Sequence, residues 1–102
     1  MEVINKKCII RADRAGVFFG TVSEVNDTPA GREVVLKDTR RLWFWSGAAS
    51  LSQLATEGVK NPGDCKFTVI VPEMSVMQVI EIIPCSEEAI SNIEAVRVWR
   101  KN

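Results

Sequence analysis

Apolar and polar residues alternate through the first half of the chain at the period of extended backbone. Val3 to Ala12 reads as a first strand, with Ile4, Cys8 and Ile10 on one face, interrupted by Lys6, and Ile9 and Arg11 on the other. Asp13-Arg14-Ala15-Gly16 is a tight connection in which Gly16 is free to take positive φ. Val17 to Val25 is a second strand, and Gly20 inside it marks a bulge or a close backbone approach. Asn26-Asp27-Thr28-Pro29-Ala30-Gly31 is a dense turn cluster, predicted as a mobile hairpin loop. Arg32 to Lys37 is a third strand, with Val34 and Leu36 opposite Val35. Asp38-Thr39 predicts a further hairpin before Arg40-Arg41-Leu42-Trp43-Phe44-Trp45, with one long bent strand as the alternative. The first half is thus an antiparallel meander of about four strands.

The period changes at Ser46. Ser50-Leu51-Ser52-Gln53 has the Ser-x-x-Gln form of a capping box, and Leu51, Leu54 and Ala55 fall on one helical face. Gly58 sits where a left-handed residue ends a helix, so a short helix is predicted from about Leu51 to Glu57, with a start as early as Gly47 as the alternative. Asn61-Pro62-Gly63-Asp64 is loop. Cys65 to Val71 is a strand with Phe67, Val69 and Val71 opposite Lys66, Thr68 and Ile70, broken by Pro72 and Glu73. Val76 to Ile83 is another strand, ended by Pro84. Ser86 can cap a second helix whose first carboxylates, Glu87 and Glu88, complement the dipole, with Ala89, Ile90 and Ile93 as its apolar stripe. Val96 to Arg100 alternates again as a last extended segment. These elements predict a single α+β domain: an antiparallel β-meander or sheet of about six strands with two short helices.

Composition narrows the chemistry. At 102 residues, 46% hydrophobic and 25% charged, the chain is globular and forms one domain. Zero formal net charge and a pI near 6.3 argue against a broad basic surface for long nucleic acid. They leave room for a small anion, which needs only a few arginines. The three cysteines, Cys8, Cys65 and Cys85, form no Cys-x-x-Cys pair and follow no signal peptide, which fits a reducing cytosol. No apolar run is long enough to cross a membrane. The chain has no histidine, so zinc sites using His, Ser-His-Asp triads and Cys-His dyads are excluded.

Candidate chemistry therefore rests on arginine and aromatic side chains. In the run from Arg40 to Trp45, alternation puts Arg41, Trp43 and Trp45 on one face and Arg40, Leu42 and Phe44 on the other. Leu42 and Phe44 suit a core. Arg41 and the tryptophans suit a pocket, where a guanidinium forks onto a phosphate and an indole stacks on a base. Tryptophans on a strand more often pack a core or an interface than bind a ligand. Arg11, Arg14 and Gly16 surround the first turn, which can offer guanidinium and backbone N–H groups to an anion, or simply solvated charge. Phe18-Phe19 directs one ring to each face of its strand. Phe67 is a core or site aromatic. Arg97-Val98-Trp99-Arg100 can close a pocket or a subunit interface. Glu87 and Glu88 are helix-start charges, and Glu81 fits an edge strand. No set supplies nucleophile, base and orienter, so a binder rather than an enzyme is expected.

Val17-Phe18-Phe19-Gly20, the run from Glu33 to Trp45 with Arg40-Arg41-Leu42-Trp43 near its end, Ser46 to Ala55, and Val79-Ile80-Glu81-Ile82-Ile83-Pro84 carry a family resemblance in their order and spacing. Together they resemble the phage-encoded Thoeris anti-defence proteins of the first described type, over nearly the whole chain from Cys8 to Trp99. The resemblance implies a sponge. Such proteins sequester, uncleaved, the cyclic ADP-ribose isomers that bacterial TIR-domain proteins make from NAD, and some members hold cyclic trinucleotides at a second site. It implies a homodimer with ligand pockets at its interface, dimers joined into hexamers as trimers of dimers, and a place in the cytoplasm of the bacterial host. No metal, membrane or long nucleic acid is implied. The candidate ligand contacts are Arg11, Arg14, Gly16, Phe18, Arg40, Arg41, Trp43, Phe67 and Arg97. The alternatives are a small protein-interaction module using the Trp43/Trp45 face as a hot spot, and a nucleic-acid accessory domain, against which the neutral charge counts.

Overall fold

The computed structural model describes residues 2–101 and has an α+β architecture: six antiparallel strands in one sheet, with two helices. The strands are β1 (Lys7–Ala12), β2 (Gly16–Thr28), β3 (Gly31–Phe44), β4 (Lys66–Phe67), β5 (Val71–Val76) and β6 (Val79–Pro84). Helix α1 (Leu51–Glu57) and a 3₁₀ turn (Pro62–Asp64) lie between β3 and β4, and α2 (Glu87–Ala95) follows β6. Among the described residues, no helix is long and apolar enough to cross a membrane.

The sheet runs β4-β3-β2-β1-β6, with β5 also on β3. β3 serves two partners along one edge: Val34 to Thr39 pair with β5, and Leu42 and Phe44 pair with β4. β5 and β6 border opposite sides of the sheet, yet only Met77 and Gln78 separate them. Three Cα steps reach at most roughly 11 Å, so the sheet must roll until its borders meet. Inside the roll lies one core, with Cys8, Ile10 and Ala12 of β1, Phe18 and Val22 of β2, Val34 and Leu36 of β3, and Val76 and Val79. The other face carries a second core. There Ile9, Phe19, Leu42 and Phe67 pack against Leu54 and Ala55 of α1 and Ala89 and Ile93 of α2. Period-2 alternation divides the two cores, as the neighbours Ile9/Ile10 and Phe18/Phe19 show.

Bulges correct the simple alternation. Phe19 pairs with Arg40 and Thr21 with Lys37, so Asp38 and Thr39 together oppose Gly20. The polar pair is a bulge within one long strand rather than a hairpin, with Asp38 at φ 47°. Gly20 is required there, because a Cβ would lie 2.7 Å from both Cβ and Oγ1 of buried Thr39. The extra residue switches β3 from one core to the other: Val34 and Leu36 face the roll, Arg40 and Leu42 the helices. Trp43 is extra in a second bulge, between Leu42↔Phe67 and Phe44↔Lys66. Phe44 is therefore not a core residue. It emerges 49% exposed on the side of Lys66, while Trp45 turns inward against the helix-side core.

Other boundaries differ for physical reasons. β1 begins at Lys7, after a turn with Asn5 at φ 67°. The β2–β3 hairpin stays paired out to Thr28↔Gly31, which leaves Pro29-Ala30 as the turn. Pro72 and Glu73 lie within β5, which has β3 as its one partner, and an edge strand tolerates a missing N–H. The break falls instead at Met77-Gln78, inside the predicted Val76–Ile83 strand, with Gln78 at φ 56°. The predicted Cys65–Val71 strand shortens to β4.

The helices follow their caps. Ser50 accepts the Gln53 N–H at 3.1 Å, and the N–H of Gly58 (φ 80°) donates to the Leu54 carbonyl. Ser86 Oγ accepts the Ala89 N–H at 3.0 Å. The Asn92 amide joins the helical layer together, accepting the Val59 N–H at 2.8 Å and donating to its carbonyl at 2.9 Å. After α2 the chain extends beside β4, where Val98 bridges Phe67 in parallel and the Trp99 N–H donates to the Phe67 carbonyl at 2.8 Å.

Candidate functional site

Two adjacent arginines of β3 have opposite fates. Arg40, only 3% exposed, faces the helical layer. Its guanidinium donates to four main-chain carbonyls: Thr68 from Nε (3.1 Å), Phe67 from Nη2 (3.1 Å), and Ile93 (3.2 Å) and Val96 (3.0 Å) from Nη1. It also lies 5.4 Å from the Phe67 ring centroid. Burial holds its pKa below the ordinary arginine value. Ile93 and Val96 mark the C-terminal end of α2, where the helix dipole favours a cation. Arg40 thus fastens β3, β4 and the end of α2 together. As a ligand contact it is corrected: the side chain is enclosed and its donors are committed to the fold.

Arg41 is exposed on the opposite face. Its guanidinium lies 4.8 Å from the ring centroid of Phe18, its cross-strand partner. Its N–H donates to Thr68 Oγ1 and its carbonyl accepts the Thr68 N–H, each at 3.0 Å. Phe67 pairs with Leu42 and Val98 on the core side, so alternation puts Lys66, Thr68, Arg97 and Trp99 on the outer side with Arg41. Phe44 joins them through its pairing with Lys66. Lys66 Nζ lies 5.5 Å from the Trp99 ring centroid. Trp43 at the bulge is 63% exposed and Trp99 46%. The end of the sheet therefore presents aromatics beside cations, the groups that stack on a planar ring and fork onto an anion. A groove of about 640 Å³ opens there, between Pro62–Lys66 and Ala95–Trp99.

The remaining predicted residues divide. Arg97 lines this groove. Phe18 and Phe67 have no exposed surface, one in each core, so neither contacts a ligand directly. Phe18 supports the Arg41 guanidinium instead. Arg11 faces away from Arg41: it pairs with Val17, next to Phe18 but on the other face, and makes an exposed ion pair with Glu81 at 3.6 Å. Arg14 is exposed in the β1–β2 turn. Gly16 begins β2 at φ 105° with open space around it, so it serves the turn. Phe44 and Lys66 are site residues that the sequence did not single out. The alternation of Lys66 and Thr68 against Phe67 carried the signal for Lys66; the bulge concealed Phe44.

Two of the thiols, Cys8 and Cys85, are not poised for chemistry. Burial pushes Cys8 up to about 11 and Cys85 up to about 12, so both stay protonated at neutral pH. Among the described residues, no three potential metal ligands gather.

Compared with characterised proteins and with solved structures, the chain matches none. One family model matches residues 5–93, from the approach to β1 through most of α2. The chain therefore belongs to the family described as a domain of unknown function (DUF6948).

Proposed function

We propose that this protein is a non-catalytic sponge for a nucleotide-type signal, holding a cyclic ADP-ribose isomer uncleaved on the face that carries Arg41, Trp43 and Arg97. The observation that carries the reading is the exposure of tryptophans beside cations at one end of the sheet. Such a ligand has a pyrophosphate for the guanidinium groups and an adenine for an indole. The sequence resemblance to Thoeris anti-defence proteins supplies the signal's identity and the setting, the cytoplasm of a phage-infected bacterium. A shallow face encloses a ligand when a second copy covers it, so the working unit is a homodimer, with hexamers as trimers of dimers. Cyclic trinucleotides are a second ligand class under the same reading.

A thermal-shift panel tests it. Ligand at 100-fold over its Kd stabilises the folded state by about 2.7 kcal/mol. For a domain of this size that raises Tm by roughly 10–20 °C. The proposal expects such a rise with at least one cyclic ADP-ribose isomer; no shift with any isomer or with cyclic trinucleotides rejects it. The exposure of Trp43, Phe44 and Ile70 also favours a second reading, a protein-interaction surface. Stoichiometric capture of one protein partner, with no small-molecule shift, would establish that reading instead.

A further inference from the structure

We infer that Trp99 is the base-stacking platform of a nucleoside-diphosphate subsite, with Lys66 and Arg97 as its phosphate ligands. The inference deepens the proposed function and rests on it for the class of ligand. Trp99 lies between two cavities. One is the groove of about 640 Å³, lined by Lys66, Arg97 and the Pro62–Asp64 turn, with Asp64 as its carboxylate. The other, of about 550 Å³, is lined by Thr68, Val69, Arg100 and Lys101. Both volumes are in the range of small-molecule sites. Four cations thus surround one half-exposed indole in a chain whose net charge is zero. That local excess, rather than overall charge, is what a diphosphate requires.

The walls are held from beneath. Arg40 donates to Phe67 and Thr68 on the β4 side and to Ile93 and Val96 on the α2 side, so one buried guanidinium fixes both walls of the groove. The Trp99 N–H bond to the Phe67 carbonyl sets the height of the indole. In the free protein Lys66 lies over the Trp99 ring. A base stacking on that ring takes the place of the ammonium. The ammonium then turns to the phosphates alongside Arg97, so ring and phosphate binding reinforce one another.

ADP, adenosine and inorganic pyrophosphate separate these contributions by calorimetry and tryptophan fluorescence. ADP is expected to bind saturably to the wild-type protein and at least about tenfold more tightly than either fragment. Trp99→Leu should reduce ADP to the affinity of pyrophosphate, and the pair Lys66→Met and Arg97→Met to that of adenosine, with Tm unchanged because all three side chains are exposed or line open space. Absence of ADP binding to the wild type, or variants that bind ADP as the wild type does, overturns the subsite. A cyclic ADP-ribose isomer run in parallel keeps the two ideas apart. Equal binding of the isomer to wild type and variants removes the subsite, and Arg97 with it, and leaves a sponge that rests on Arg41 and Trp43. ADP binding as described, with no binding of any isomer or cyclic trinucleotide, removes the sponge and leaves the subsite.

Discussion

Replacing Arg40 by alanine removes the donors from four carbonyls at the junction of β3, β4 and α2. Two of these carbonyls keep another partner: Phe67 still accepts from the Trp99 N–H, and Ile93 from the Val96 N–H. Thr68 and Val96 lose the Arg40 donors, and among the described residues no second backbone donor takes their place. An unsatisfied buried acceptor costs about 1–3 kcal/mol, so the pair costs about 2–6 kcal/mol. Loss of the buried aliphatic stem adds to this. Relief from holding a cation out of water offsets several kcal/mol of it. The net expectation is about 2–4 kcal/mol, a large share of the roughly 5–15 kcal/mol typical of a domain. The corresponding fall in Tm is roughly 10–30 °C. Arg40→Met keeps most of the stem and deletes only charge and donors, so it should retain most of the loss. Arg40→Lys has one nitrogen where the carbonyls converge on three, and should fall between. Arg41→Ala, one residue away and exposed, should stay within about 0.5 kcal/mol of wild type. Urea and thermal unfolding followed by circular dichroism measure all four. Arg40→Met as stable as wild type would refute the reasoning, because desolvation would then outweigh the carbonyl bonds.

Leu42→Ala empties helix-side core and should cost about 2–5 kcal/mol, whereas an effect under 1 kcal/mol would mean that the Leu42 site collapses freely. Gly20→Ala drives a Cβ into Thr39 and should cost about 1–3 kcal/mol; Thr39→Ala should recover part of that, and strict additivity of the two changes would contradict the contact. Cys8 and Cys85 keep their protons in the folded state up to about 11 and about 12, while the unfolded chain releases them near the ordinary value of 9.0. Stability should therefore fall as pH rises from about 9 through 11–12, by up to about 1.4 kcal/mol per pH unit for each thiol. The Cys8→Ala/Cys85→Ala double variant should lose stability less steeply over that range, and an identical slope would exclude the thiols as its source.

Features set by local chemistry were legible in the sequence. Ser50, Gly58 and Ser86 place the helix ends because capping is decided within one turn of backbone. The β1 faces and the division of Val34 and Leu36 from Val35 follow from alternation alone. What escaped depends on partners distant in sequence. Asp38-Thr39 has the composition of a turn, and only Gly20, opposite it on β2, makes room for a bulge instead. Trp43 becomes an extra residue only because β4 offers one position fewer, and that exchanges the environments of Phe44 and Trp45. Pro72 reads as a breaker unless the strand is known to be an edge. Within the site, alternation did put Arg40 beside Leu42 on the buried face. Its role was hidden because its acceptors are main-chain carbonyls up to 56 residues away, which carry no side-chain signature. Arg41, Trp43 and Arg97 share an accessible end of the molecule, while Arg11 is turned away from them by the single-residue offset between Val17 and Phe18.

Mass spectrometry of small molecules released from the protein tests sequestration most directly. The purified protein is incubated with the product of an activated TIR-domain enzyme, washed, and heated to release what it holds. Sequestration predicts a cyclic ADP-ribose isomer at intact mass, in near-stoichiometric amount from the wild type and much reduced from Arg41→Ala at unchanged Tm. Release of no nucleotide from the wild type, or of a cleaved one, would contradict it.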